Sequence, residues 1–267
     1  MAKEPLPRFE RPPVNEVAMA AQFAPLPAGA YLLAGLADAL QSVEPGHHNV
    51  IERIAQPPLP PRGALRGIKL EILDAPAPPL FWLLDESGHH LIQIQRDRLV
   101  VNWRKLSPDE SYPSFDSILP RWQAAWSAFE RAVAMLGLDP LAPNACELTY
   151  FNAIEPAPTE IGELVSAWSA VHSDAFLPSP TEMRMAVGYP LPDDGGLLTM
   201  ELSPAIRQDT GAGAVVFRVS ARGWPVEPTH DAVLQFFDIA HEWIVRGFAS
   251  FTTPTMHHLW GRTDVTH

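Results

Sequence analysis

Hydrophobic and polar positions alternate most cleanly over Leu91–Arg104, LIQIQRDRLVVNWR. Ile92 and Ile94 share one face, Gln93 and Gln95 the other. After Arg96–Asp97, Leu99, Val101 and Trp103 alternate with Val100, Asn102 and Arg104. Period-two patterning with β-branched residues predicts two strands joined by a turn. Val14–Pro25 predicts an earlier strand, with Val17, Met19 and Ala21 on one side. Gly29–Leu40 carries Leu32, Leu33, Leu36 and Leu40 at helical spacing. Gly46–Gly67 has no clear period, and its PPLPP centre suits a polyproline connector. Ile68–Leu73 and Leu80–Leu84 are further candidate strands, and DESGHH supplies the turn before the hairpin.

Two longer stretches have the period of a helix. Ser117–Leu136 sets Ile118, Trp122, Ala125, Trp126, Phe129, Val133 and Leu136 in one stripe. Ser117 is its expected cap, Pro120 lies in its first turn, and Gly137 ends it. Thr229–Ser250 contains the second long helix. Between them, Cys146–Ile154 reads as a strand and Thr159 as the cap of a helix reaching His172. Glu182–Tyr189, Leu197–Leu202 and Ala214–Ser220 read as strands, with PLPDDGG as a turn. Strands therefore precede a long helix twice, 68–104 before 117–136 and 182–220 before 229–250. The expected fold is α+β, mainly antiparallel sheet with two long covering helices. Its order suggests a divergent internal duplication. The halves are 1–155 and 159–267, and the linker falls near Glu155–Thr159.

Composition narrows the function classes. The chain has 267 residues, 46% of them hydrophobic, and 29 prolines in short clusters. A formal charge of −12 opposes non-specific attraction to phosphate backbones and anionic lipid. A nucleic-acid partner is therefore the weakest option, and a protein partner or a homo-oligomer is expected instead. The lone cysteine, Cys146, permits neither an intrachain disulfide nor a cysteine-rich metal site, and fits a reducing compartment. No apolar run approaches about 18 residues. The start, MAKEPLPRFERPP, lacks a hydrophobic signal core. The expected location is the cytoplasm, without membrane attachment.

Candidate chemistry is sparse. His241 falls on the apolar stripe of Leu234, Phe237, Ile244, Val245 and Phe248. A buried imidazole there needs a partner and has a lowered pKa, whether it serves as a core residue, a base or a ligand. The tail TTPTMHHLWGR predicts a short helix after Thr253–Pro254, docked by Trp260, with Arg262 paired to a carboxylate or an anion. His257 and His258 are adjacent and so cannot share a helix face. Arg104 belongs to a local basic block with Arg96, Arg98 and Lys105. The candidate binding residues are thus His241, Arg104, His257, His258, Trp260 and Arg262. The pairs His47–His48, His89–His90 and His257–His258 lack zinc-ligand spacing, so no metal is expected. No phosphate-binding glycine motif and no GxSxG elbow occurs, so no cofactor is expected.

The phrases RFERPPVNEVAMAAQFAPL, LIQIQRDRLVVNWRK, YPSFDSILPRW, CELTYFNAI and AHEWIVRGFASFTTPTMHHLWGR run from about Arg8 to Arg262. In combination they resemble a sporadically distributed, uncharacterised bacterial protein family of roughly this length with an MHxLWGR-like tail. The resemblance implies a bacterial cytosolic protein whose ends matter, and it carries no activity, substrate or catalytic residue. The leading expectation is a non-catalytic binding or assembly protein. The alternative is a small-molecule enzyme with a pocket between the two halves, using His241, Arg104 and Arg262.

Overall fold

The computed structural model describes residues 5–27, 29–43, 46–59, 79–155, 157, 161–166 and 183–264. The first half begins with β1 (Val14–Phe23), α1 (Ala30–Val43) and β2 (His47–Ile54). It continues through β3 (Pro79–Asp85), β4 (His90–Gln95) and β5 (Arg98–Arg104) to α2 (Phe115–Met135). The second half is β6 (Pro143–Ile154), a single turn α3 (Ile161–Leu164), β7 (Met185–Pro190), β8 (Gly196–Ile206), β9 (Gly213–Gly223), α4 (His230–Phe251) and α5 (Pro254–Leu259). The fold is α+β, as the patterning predicts.

The nine strands among the described residues lie in one sheet, in the order β2-β3-β4-β5-β1-β6-β9-β8-β7, and every pairing is antiparallel. The seam is the β1–β6 pair, where Val17 faces Tyr150, Met19 faces Leu148 and Ala21 faces Cys146. Outward from it the order is β1, β5, β4, β3, β2 on one side and β6, β9, β8, β7 on the other, so the first side carries one extra edge strand. Each half thus places its first strand at the centre and builds back to it from the edge before its long helix.

The period-two pattern decides which face the helices cover. Val17, Met19, Leu99, Val101, Leu148, Phe217 and Val219 all belong to one buried core with the inner stripes of α1, α2 and α4. Their neighbours along each strand point the other way. The two long helices also meet each other through rings. Trp122 stacks on Trp126 at 5.4 Å and meets Phe237 edge-on at 4.9 Å.

Several local expectations need correction. The cap of α2 is Ser114, whose hydroxyl accepts the Ser117 N–H, so the helix starts earlier and Pro120 lies inside it. Its ring costs only the bond to Asp116 near the helix start, where carbonyl partners are few. Gly137, at φ +68, does end this region. β2 was hidden because it is an edge strand with apolar residues in solvent, Ile54 being 78% exposed. β8 and β9 run beyond the predicted strands, and β8 includes Pro204. The proline is tolerated because β7 stops at the Met185–Leu202 pair, so this end of β8 is an edge that pairs with β9 alone. The crossing of β8 and β9 at Gly196–Gly223 needs glycine: a Cβ on Gly223 would lie 2.0 Å from the Gly195 carbonyl oxygen. The strand expected at Ile68–Leu73 and most of the helix expected through His172 lie outside the described residues.

Candidate functional site

The sequence candidates fall into separate places. His257, Trp260 and Arg262 form a clasp between the two ends of the chain. Thr253 caps α5, and after Trp260 the chain turns at Gly261, φ +66, to run antiparallel to residues 8–11. Glu10 N–H donates to the Gly261 carbonyl, Arg11 N–H to that of Trp260, and Thr263 N–H to that of Arg8, each at 3.0 Å. Trp260 is buried against Phe248 at 5.1 Å and Phe9 at 6.1 Å. Arg262 donates in a fork to Asp264, Nε at 2.9 Å and Nη2 at 3.0 Å. Asp264 also accepts the Arg8 N–H, and these bonds hold its carboxyl down at about 2. The Arg262 Nη1 lies 3.2 Å from Nδ1 of His257, and Nε2 of His257 lies 2.9 Å from Thr252 Oγ1. Because Arg262 can only donate, Nδ1 accepts and the proton sits on Nε2. Burial and the Arg262 charge keep this imidazole below the usual histidine range. His258 is exposed beside it.

His241 stands elsewhere, on α4. Its ring stacks on Phe115 at 4.1 Å and 7° and lies over Tyr150 at 6.2 Å. Burial drives its pKa down to about 4, against the pull of Asp116 and Glu242. The Tyr150 and Tyr112 hydroxyls share a hydrogen bond at 2.9 Å, and burial pushes both phenols up. Arg104 ends β5, where its Nε donates to the Gly88 carbonyl at 2.7 Å.

The sequence reading missed a larger constellation on the sheet face opposite the helices. Trp82 Nε1 donates to Gln93 at 3.1 Å, Gln93 Nε2 donates to Asn102 at 2.8 Å, and Asn102 donates to Glu16. This ladder crosses β3, β4, β5 and β1. Arg53 of β2 lies 4.9 Å over the Trp82 ring. Burial raises the Glu16 carboxyl, opposed by Asn102 and by Arg104. The ladder's signal was the set of polar residues alternating with apolar ones in the hairpin. Residues 55–59 run along this part of the face: Arg98 donates to the Pro57 carbonyl at 2.8 Å, and Gln22 accepts the Leu59 N–H at 2.6 Å.

Over β6, β9, β8 and β7 no helix among the described residues packs on the same face, and Thr149 and Ser220 are buried within it. Arg222 donates twice to one Glu147 oxygen, at 3.0 and 2.8 Å, and Arg218 pairs with Glu201. Thr149 and Ser220 share a bond at 2.8 Å between them. Phe151, half-buried, sits opposite Arg218 in the register. Every charged group in this patch is already neutralised by a neighbour. Thr149 Oγ1 also donates to Glu147 Oε1 at 3.0 Å, so this part of the patch is a connected network of paired charges and hydroxyls.

Two hollows flank the sheet. One, of about 390 Å³, straddles the seam between the halves and is lined by Asn15, Lys105, Ser107, Glu155 and Arg207. Arg207 there is held by Glu155 at 2.7 Å and by Asp209 at 2.8 and 2.5 Å. The other, about 410 Å³ and mostly apolar, lies between α4 and the β7–β8 edge. Among the described residues no group of three or more His, Cys, Asp or Glu side chains could hold a metal, and no helix is long and apolar enough to cross a membrane. No protein-family model matches the chain, and no curated protein matches it.

Proposed function

We propose that this is a non-catalytic binding or assembly protein of the cytoplasm, of the bacterial family its phrases resemble. It engages a protein partner, or a second copy of itself, through the helix-free face of β6, β9, β8 and β7. The observation that carries this reading is the placement of every long helix among the described residues on one side, with a pre-paired polar patch on the other. Paired charges and hydroxyls fixed on strands offer a rigid template at low ordering cost, and Phe151 supplies an aromatic contact. The net charge of −12 makes a protein partner a better match than a polyanion. The buried thiol of Cys146, pushed up by burial, suits a structural role. The two halves are copies of one ancestral unit in this reading, supported by their common strand order. Superposing β3–β4–β5–α2 on β7–β8–β9–α4 tests the duplication, and mismatched helix positions would end it.

The binding reading is tested by recovering partners from the native cell with the full chain and with Arg218→Glu or Phe151→Ser. Loss of a specific partner in both variants, with folding retained, is the expected result. Equal recovery, or turnover of a small molecule by the purified protein, would overturn it. An enzyme is the second reading, favoured by one observation: the seam hollow is lined by side chains of both halves.

A further inference from the structure

A third hollow, of about 350 Å³, lies on the helix side of the sheet, between the ends of β4 and β5 and the first turns of α2. His90 and Trp103 face each other across those strands and reach it from the sheet. Ser117, Ile118 and Arg121 reach it from α2, and Glu110 from the connecting loop. Its polar groups are unequally engaged. Glu110 is taken up at the rim: its Oε2 accepts the Leu106 N–H at 2.8 Å and lies 3.6 Å from His89 Nδ1. Arg121 is exposed and makes no ion pair or hydrogen bond among the described residues.

His90 adds a second polar group to the lining. Its Nδ1 is buried without a partner among the described residues. A buried N–H left unpaired is rarer than a bare acceptor, so the proton belongs on Nε2. Burial and the Arg121 charge lower this imidazole to about 4, outweighing Asp85, so the ring is neutral at pH 7. The hollow is therefore lined by a guanidinium and a neutral imidazole together with the apolar Trp103 and Ile118.

We propose that this hollow binds a small monocarboxylate with an apolar body. The carboxylate sits on Arg121, whose planar fork suits it, and the body lies toward Trp103 and Ile118. The Glu110 charge at the rim selects against anions carrying more than one charge, such as phosphate. This site is independent of the sheet face proposed for the partner.

The test uses the full chain, titrated with benzoate while the His90 ring resonances are followed. A saturable shift is expected, with none from inorganic phosphate at matched ionic strength. Arg121→Gln keeps an exposed helical position filled by a helix former, and is expected to weaken benzoate binding about tenfold or more, the loss of one charged hydrogen bond. No saturable shift would overturn the proposal. So would equal affinity for phosphate, which marks a plain anion patch, or unchanged affinity in Arg121→Gln.

Discussion

At pH 7 His241 is a neutral ring in an aromatic column, with Phe115 on one face and Tyr150 beyond. Protonation there means charging an imidazole among rings. Its folded pKa of about 4 lies below the unfolded value, near 6.5. The unfolded chain therefore takes up a proton first as pH falls. The contribution to stability is complete above the unfolded pKa and is lost between there and about pH 4. Urea midpoints at pH 7 and pH 5 should show the native chain losing stability. His241→Phe, which keeps the stacking, should lose less; equal losses in the two proteins would contradict this account. His90 titrates in the same window, so the dependence shrinks without vanishing. Helical phase alone put His241 on the apolar stripe. Its true neighbour was not legible, because Phe115 precedes the stretch whose periodicity marked the helix. Arg262 was easier: its carboxylate, Asp264, is two residues away.

Elements show two devices that join distant parts of the chain. The clasp ties the lead-in at residues 8–11 to the tail, and its anchor is Trp260, 5% exposed. Trp260→Ala removes a large buried ring from between Phe9 and Phe248. The expected cost is about 3–5 kcal/mol, read from chemical denaturation. A cost within a few tenths would mean the tail rests on the body without holding it. The ladder on the sheet is the second device. Asn102 is 2% exposed and both donates and accepts within it. Asn102→Ala leaves Gln93 without its acceptor and Glu16 without its donor, an expected loss of about 1–3 kcal/mol by the same measurement. No loss would show that the ladder's members are satisfied by water instead. The β4–β5 hairpin was legible, because one of its faces carries Ile92, Ile94, Leu99, Val101 and Trp103 in strict alternation. β2 was not, because both sides of an edge strand meet solvent. The ladder's polar residues were visible, but their alignment across four strands depends on register, which only the assembled sheet provides.

Across the whole molecule one sheet unites the two halves, and the seam falls at β1–β6. Both long helices and the repeated order of strands and helix were legible, since each is carried by strong local periodicity. The joining of the halves edge to edge was not, because β1 and β6 lie far apart in the chain. The same geometry separates the candidate residues: His241 belongs to the helix layer, Arg104 to a strand end, and His257, Trp260 and Arg262 to the clasp. It also leaves the face of β6, β9, β8 and β7 as the surface proposed for a partner. Hydroxyl-radical footprinting of the protein with and without its recovered partner tests that assignment most directly, because it reads side chains rather than backbone. Phe151 and Leu197, on the helix-free face, should lose reactivity in the complex, while Tyr31 and Met135, exposed on α1 and α2, keep theirs. Protection of Tyr31 and Met135 with Phe151 and Leu197 unchanged would contradict it.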